Sequence, residues 1–405
     1  MRSHRRSLLP LLLAVVLPVS TAIAASPWRE SQAKAIAGAR TELRQEVADG
    51  RFSGAVLIAK DGQPMFEAAY GYANRAKKIK NTVDTKFHFG SMGKMFTAVA
   101  VLQLVEDGKI GLQDPVSKFL PDYPNKGVAA VTVYQLLTHT GGTGDIFGPE
   151  FDANRSRLKT LADYVALYGH RDLVFQPGSK WDYSNYGFIL LGRIVEVVSG
   201  ETYYDYVRQH IFEPAGMLST GNEPEDRNVP DLAVGYTRAG LHGPEPGPGP
   251  GPGPGPGPGG SMHGPGPGPG PGALGPMPSG PLHSTEGMLP YRGTSAGGGY
   301  STVGDLLKFA EALQSHKLLD AHYTELLTTG KIVTPRPGIK YAFGFEDETT
   351  PDGVRLYGHG GGSPGMNGRL AIFRKSGYVV IALANLDPPA ADAIAQFIDQ
   401  RLPAN

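Results

Sequence analysis

Phe87-His88-Phe89-Gly90-Ser91-Met92-Gly93-Lys94-Met95-Phe96 is the stretch from which the rest of the chain can be read. Its pattern predicts a helix from Ser91 to about Val105. Met92, Met95, Phe96, Val99, Leu102, Leu104 and Val105 put apolar side chains on nearly every face, the mark of a buried helix. Gly108, after Asp107, supplies its stop signal. Ser91 and Lys94 are three positions apart, so they share a face, with Cβ atoms roughly 5–6 Å apart. A hydroxyl beside an amine at a helix start is chemically loaded. The partial positive charge of the N-terminus favours negative charge developing on the serine oxygen. An amine among apolar groups loses part of its preference for the charged form and can act as a base. The pair is a candidate activated serine nucleophile.

Working outward, residues 31–49 carry Ala33, Ile36, Leu43 and Val47 on one helical stripe. Gly54-Ala55-Val56-Leu57-Ile58-Ala59 reads as a strand, Lys60 to Pro64 as a turn, and Met65 to Tyr72 as the returning arm. At the other end, Arg369 to Phe373 and Tyr378 to Ala384 form a second hairpin around Lys375-Ser376-Gly377, and Pro388 to Leu402 a closing helix. Helical patterns lie between: Phe188 to Val198 stopped by Ser199-Gly200, residues 202–212, and Val303 to Leu313 capped by Ser301-Thr302. Strands at both ends with helices between them predict an α/β (α+β) fold. One antiparallel sheet, built from both chain termini and flanked by helices, would carry an inserted, mostly helical lobe.

The chain has 405 residues, enough for a large core. Lysine plus arginine and aspartate plus glutamate balance at 38 each, so no net charge points to nucleic acid or an anionic membrane. With no cysteine there is no disulfide framework and no thiolate metal site. Arg2, Arg5 and Arg6 precede an apolar run from Leu8 to Val19, and Ala22-Ile23-Ala24 offers a cleavage site. This predicts a signal peptide over residues 1–24, using the general or the twin-arginine route, and a bacterial exported protein, periplasmic or extracellular. The catalytic domain would span residues 25–405, with no transmembrane segment in the mature chain. Residues 243–281 are dominated by a Gly-Pro repeat of period two, which can neither pack a core nor form a ladder. They are expected to be a disordered extended insert.

Two further motifs give meaning to the Ser-Lys pair. Tyr183-Ser184-Asn185 puts a phenol and an amide on a short loop before an apolar helix. His359-Gly360-Gly361 stands before the last hairpin, where glycines at a strand edge allow close approach of a substrate to backbone. Competing motifs fail on context. Gly93-Lys94 is not a phosphate loop, because His88 holds the required upstream glycine position and Met95 replaces serine or threonine. The Gly-x-Ser-x-Gly matches at residues 293–297 and 361–365 do not sit between a strand and a helix as a nucleophile elbow must. No His-Glu-x-x-His or similar spacing points to a metal. His139, after an apolar segment and before a double glycine, reads as a packed structural residue.

In this order and spacing the set resembles the serine β-lactamase and penicillin-binding protein superfamily, most closely its class C β-lactamase-related branch of esterases, D-alanyl-D-alanine carboxypeptidases and D-aminopeptidases. The family's Ser-x-x-Lys is matched by Ser91 and Lys94, its Tyr-x-Asn by Tyr183 and Asn185, and its Lys/His-x-Gly by His359 and Gly361. Leu136 to Thr140 and Gly297 to Thr302 are similar to flanking stretches of this branch. The resemblance implies acyl transfer through an acyl-enzyme on Ser91, with Lys94 and Tyr183 moving the proton. Asn185 would contact the substrate's acyl side or orient Lys94. The amides of Ser91 and Gly362 would form the oxyanion site. His359, in place of the lysine usual in β-lactamases, weakens a carboxylate anchor, since an unperturbed histidine has a pKa of roughly 6.5. The expectation is an exported serine hydrolase of an ester or small peptide or amide bond, with no cofactor. Its substrate would be a small-molecule ester, peptide or β-lactam. The alternatives are a β-lactamase or carboxypeptidase acting on cell-wall peptides or penicillins, and a non-catalytic penicillin- or peptide-binding protein.

Overall fold

The computed structural model describes residues 28–238 and 280–404. The expected signal peptide and nearly all of the Gly-Pro insert lie outside the described residues. Eight strands form one antiparallel sheet: β1 Gly54–Lys60, β2 Gln63–Tyr70, β3 Ile332–Val333, β4 Ile339–Tyr341, β5 Glu346–Thr349, β6 Arg355–Ser363, β7 Met366–Phe373 and β8 Tyr378–Ala384. Their order across the sheet is β2-β1-β8-β7-β6-β5-β4-β3. The two ends of the chain meet where β1 pairs with β8, from Gly54 opposite Ala384 to Lys60 opposite Tyr378. The expected sheet from both termini is therefore the observed one.

Both faces of the sheet are covered, and the alternation of side chains assigns them. Val56 and Ile58 of β1 and Val380 and Ala382 of β8 pack with α1 (Gln32–Ala48) and α5 (Ala390–Asp399). Ala55 and Leu57 of β1 and Ile381 and Leu383 of β8 face the larger core of α2 (Gly93–Glu106), α3 (Asn185–Ser199) and α4 (Val303–Gln314). Burial on both faces explains why β1 and β8 read as nearly unbroken apolar runs.

The structure corrects some boundaries. The α-helix begins at Gly93, and Ser91 lies before it on a single 3₁₀ turn, Gly90–Met92. The closing helix is Ala390–Asp399, shorter than residues 388–402; at its start Pro388 precedes another proline, which disfavours helical backbone, and Pro389 stands at φ −101°, ψ 34° as the cap. Strands β3 to β5 have only two to four residues and leave no periodic signal. The glycines of β6 hide a nine-residue strand, since glycine disfavours strands on propensity alone.

The length mismatch between β5 and β6 creates the site. β7 pairs with β6 as far as Ser363 opposite Met366, whereas β5 pairs only from Arg355 to Gly358. His359 to Ser363 therefore have an edge that β5 leaves open, and the Gly90–Met92 turn lies against it. The sheet's core is the foundation for this arrangement. Ile381→Ala, at a fully buried position, should lower unfolding free energy by about 2–5 kcal/mol, read from the urea midpoint at unchanged slope.

Candidate active site

Lys94 sits in the first turn of α2 and is wholly buried, 0% exposed. Its Nζ lies 2.7 Å from Asn185 Oδ1, 2.7 Å from the Ala296 carbonyl oxygen and 3.3 Å from Ser91 Oγ. It stands 4.6 Å from the centre of the Tyr183 ring and 5.4 Å from that of Phe188. Burial pushes the Lys94 pKa down to about 7, and attraction to Asp145 opposes part of that fall.

Ala296 reaches the lysine because the backbone of residues 295–299 runs across the Gly90–Met92 turn. Gly298 donates its amide to Gly90 O at 3.0 Å, Phe89 donates to Gly299 O at 3.1 Å, and Thr97 Oγ1 donates to Ser295 O at 2.6 Å. A Cβ on Gly297 would stand 2.3 Å from Gly90 O, and the residue has φ +134°. Only glycine fits that crossing. Ser295, the centre of one rejected Gly-x-Ser-x-Gly match, is fully buried.

Tyr183, Ser184 and Asn185 enter α3 in succession. Ser184 caps the helix by accepting from Gly187 N at 2.9 Å, and also bonds Thr143 Oγ1 at 2.8 Å. Its own amide donates to His139 Nδ1 at 3.1 Å, which makes Nδ1 the unprotonated ring nitrogen. Asn185 is 5% exposed and places its Nδ2 3.0 Å from both carboxylate oxygens of Asp145. The Tyr183 oxygen is buried and makes no hydrogen bond within 3.5 Å. Burial raises its pKa, and the nearby Ser91 hydroxyl offsets part of that rise. Catalytic hydrogen bonds commonly tighten only with substrate in place.

The third motif lies along the open edge of β6. A Cβ on Gly361 would stand 2.0 Å from Phe89 O and 2.8 Å from Ser91 N, so this backbone touches the turn that carries Ser91. The Gly362 amide nitrogen is 2.9 Å from where a Cβ on Gly90 would lie. The backbones of Gly90-Ser91 and Gly361-Gly362 thus lie against one another. His359 is 1% exposed, with Nε2 3.1 Å from Tyr341 Oη and Nδ1 bonded to Gly360 O. A carbonyl only accepts, so Nδ1 carries the proton and Tyr341 donates to Nε2. Burial pushes the His359 pKa down to about 4, with Glu346 opposing, so the ring is neutral at pH 7.

Ser91, Lys94, Tyr183 and Asn185 are therefore brought together, with Gly361 and Gly362 beside them and His359 behind Tyr341. The motifs did not reveal Asp145, Tyr341 or the Ala296 carbonyl. Asp145 stands in a loop with no periodic spacing, and a backbone carbonyl has no residue-type signal. His139 fits its expected packed role: its ring centre is 4.3 Å from Tyr183 and 4.5 Å from Tyr341.

The sheet, the crossing backbone and the four polar side chains define a β-lactamase/transpeptidase-like chain. It belongs to the beta-lactamase family, whose family model matches residues 39–404. The putative penicillin-binding protein PbpX of Bacillus subtilis (strain 168) is 38% identical over 190 residues, 47% of this chain and 46% of that protein. The chain thus spans about half the length of that relative. A penicillin-binding protein from Bacillus halodurans of known crystal structure is 31% identical, with TM-score 0.71, covering 87% of this chain and 98% of that one. A D-stereospecific amidohydrolase from Streptomyces sp. is 26% identical, with TM-score 0.69, covering 89% and 97%.

The glycine at 361 gives a direct check on the geometry. Gly361→Ala should push the nucleophile turn aside and slow labelling of Ser91 by a fluorophosphonate on the order of 10²-fold. Intact mass spectrometry over time would measure it, with circular dichroism to show that the fold persists.

Proposed function

We propose that the protein is a secreted serine hydrolase that forms an acyl-enzyme on Ser91 and hydrolyses an ester or small peptide or amide bond. The observation that carries this is the buried Lys94 amine, held by two acceptors with Ser91 Oγ 3.3 Å away. With the Lys94 pKa lowered and that of Tyr183 raised, a neutral amine and a neutral phenol coexist near pH 7. That favours Lys94 as the base and Tyr183 as a relay.

Ser91 Oγ attacks the carbonyl carbon and its proton passes to Lys94. The oxyanion forms against the amides of Ser91 and Gly362. As the bond from carbon to the leaving oxygen or nitrogen breaks, the proton travels by way of the Tyr183 hydroxyl to that atom. Water then adds to the acyl carbon, giving up a proton to Lys94, directly or by way of the Tyr183 hydroxyl as that hydroxyl passes its own proton on. The bond from carbon to Ser91 Oγ breaks and the serine takes the proton back.

A second reading is a β-lactamase or D-alanyl-D-alanine carboxypeptidase, supported by the names of the penicillin-binding relatives. The neutral, buried His359 counts against it, because it supplies no fixed positive charge for a substrate carboxylate. The amidohydrolase neighbour supports the amide side of the first reading. A purely binding role has no use for a buried amine with a weakened hold on its proton beside a hydroxyl. Export rests on the N-terminal sequence. Among the described residues no helix is long and apolar enough to cross a membrane.

A panel of p-nitrophenyl esters, amino-acid p-nitroanilides and nitrocefin, with intact-mass detection of the acyl-enzyme, tests both readings. Ser91→Ala should remove turnover while leaving the melting temperature within a degree or so, since surface-accessible changes rarely exceed about 0.5 kcal/mol. Full activity in that variant would refute the assignment. The pH profile follows from Lys94: only the neutral amine accepts the proton, so kcat/KM should rise as pH climbs through about 7. A rate independent of pH between the normal carboxylate and lysine ranges would exclude Lys94 as the base.

A further inference from the structure

The Asn185 amide could present either end to Lys94, and only one end allows the lysine to act as a base toward Ser91. A neutral amine has two N–H hydrogens and one lone pair. Asn185 Oδ1 and Ala296 O, each 2.7 Å away, are acceptors and take one hydrogen each. The lone pair is then left for Ser91 Oγ at 3.3 Å. With the amide turned over, its NH₂ would compete for that lone pair.

What prevents the turn is Asp145. Its carboxylate accepts only, and both oxygens lie 3.0 Å from Asn185 Nδ2. The carboxylate is itself held in place. Oδ1 accepts from the Ile146 amide at 2.6 Å, and the Asp145 carbonyl accepts from Arg171 Nη1 at 2.8 Å. Arg171 directs another nitrogen to Glu150, and among the described residues no lysine or arginine forms an ion pair with the Asp145 carboxylate.

We propose that Asp145 is a positioning residue for the chemistry at Ser91: it locks the Asn185 amide with oxygen toward Lys94 and so aims the lysine lone pair at the serine. It acts through Asn185 and touches neither Ser91 nor Lys94 by hydrogen bond. The inference rests on Ser91 being the nucleophile. Asp145 also leaves an electrostatic signature. The groups around Lys94 are the Tyr183 phenol and the His139 ring from the loops, the His359 ring from β6, and Asp145; the Arg336–Glu346 pair lies behind His359. Tyr183 and both imidazoles are uncharged at neutral pH, which leaves Asp145 as the charge that holds a proton on Lys94.

Asp145→Asn keeps the shape of the side chain but can both donate and accept, so the Asn185 amide is free to turn. Asp145→Ala removes the partner altogether. The rate of Ser91 labelling by a fluorophosphonate would be followed across neutral pH for wild type, both variants and Ser91→Ala, with melting temperatures alongside. Each folded variant should label about tenfold more slowly or worse. The acid limb of its pH profile should move to lower pH, because the charge that favours protonated Lys94 is gone. A structural role alone would lower the melting temperature without moving that limb. If a folded variant keeps the wild-type rate and acid limb, the inference fails while the nucleophile assignment stands. If wild-type Ser91 is not labelled, the assignment itself fails, and this inference with it.

Discussion

Everything about this site depends on an amine placed where water cannot reach it. Taking an ammonium ion out of water costs several kcal/mol even after relaxation. Lys94 meets that cost by losing charge preference and by giving its hydrogens to Asn185 Oδ1 and Ala296 O. Lys94 and these two partners come from three parts of the chain far apart in sequence. A misplaced partner would leave a buried amine without a hydrogen bond, so the chemistry and the local stability of this region favour the same arrangement.

The fold supplies that arrangement through backbone more than through side chains. The open edge of β6 lies along the Gly90–Met92 turn, and the 295–299 segment crosses it from another side. Gly361 and Gly297 allow approaches that any Cβ would block. The turn that carries Ser91 is therefore clamped between two backbone segments, one belonging to the eight-stranded sheet. A site supported by regular structure on one side keeps its geometry better than one carried on loops alone.

The aromatic and imidazole groups form a second layer. His139, His359 and Trp181 surround Tyr183, Tyr341 packs against all three, and neither imidazole carries charge at neutral pH. Exclusion of water from the phenol keeps Tyr183 protonated, while the same burial favours a neutral Lys94. One physical cause, burial, thus moves both a phenol and an amine toward their neutral forms.

Much of this was legible before any coordinates. The apolar, all-round pattern after Ser91 showed a buried helix, the hairpins at both ends showed a sheet closed by the termini, Ser91 and Lys94 stood out by type and spacing, and Tyr183 and Asn185 by their resemblance to a family motif. Periodicity and residue type are local properties, and these features are local. Asp145, the Ala296 carbonyl, the open edge of β6 and the buried setting of His359 were not legible, because each is defined by what lies across from it. A carboxylate in a loop is an ordinary surface residue until an amide is set 3.0 Å from it. The sequence by itself thus determined which groups are available for chemistry, whereas the tertiary structure alone decided their protonation and aim, since both depend on burial and on partners contributed by distant segments.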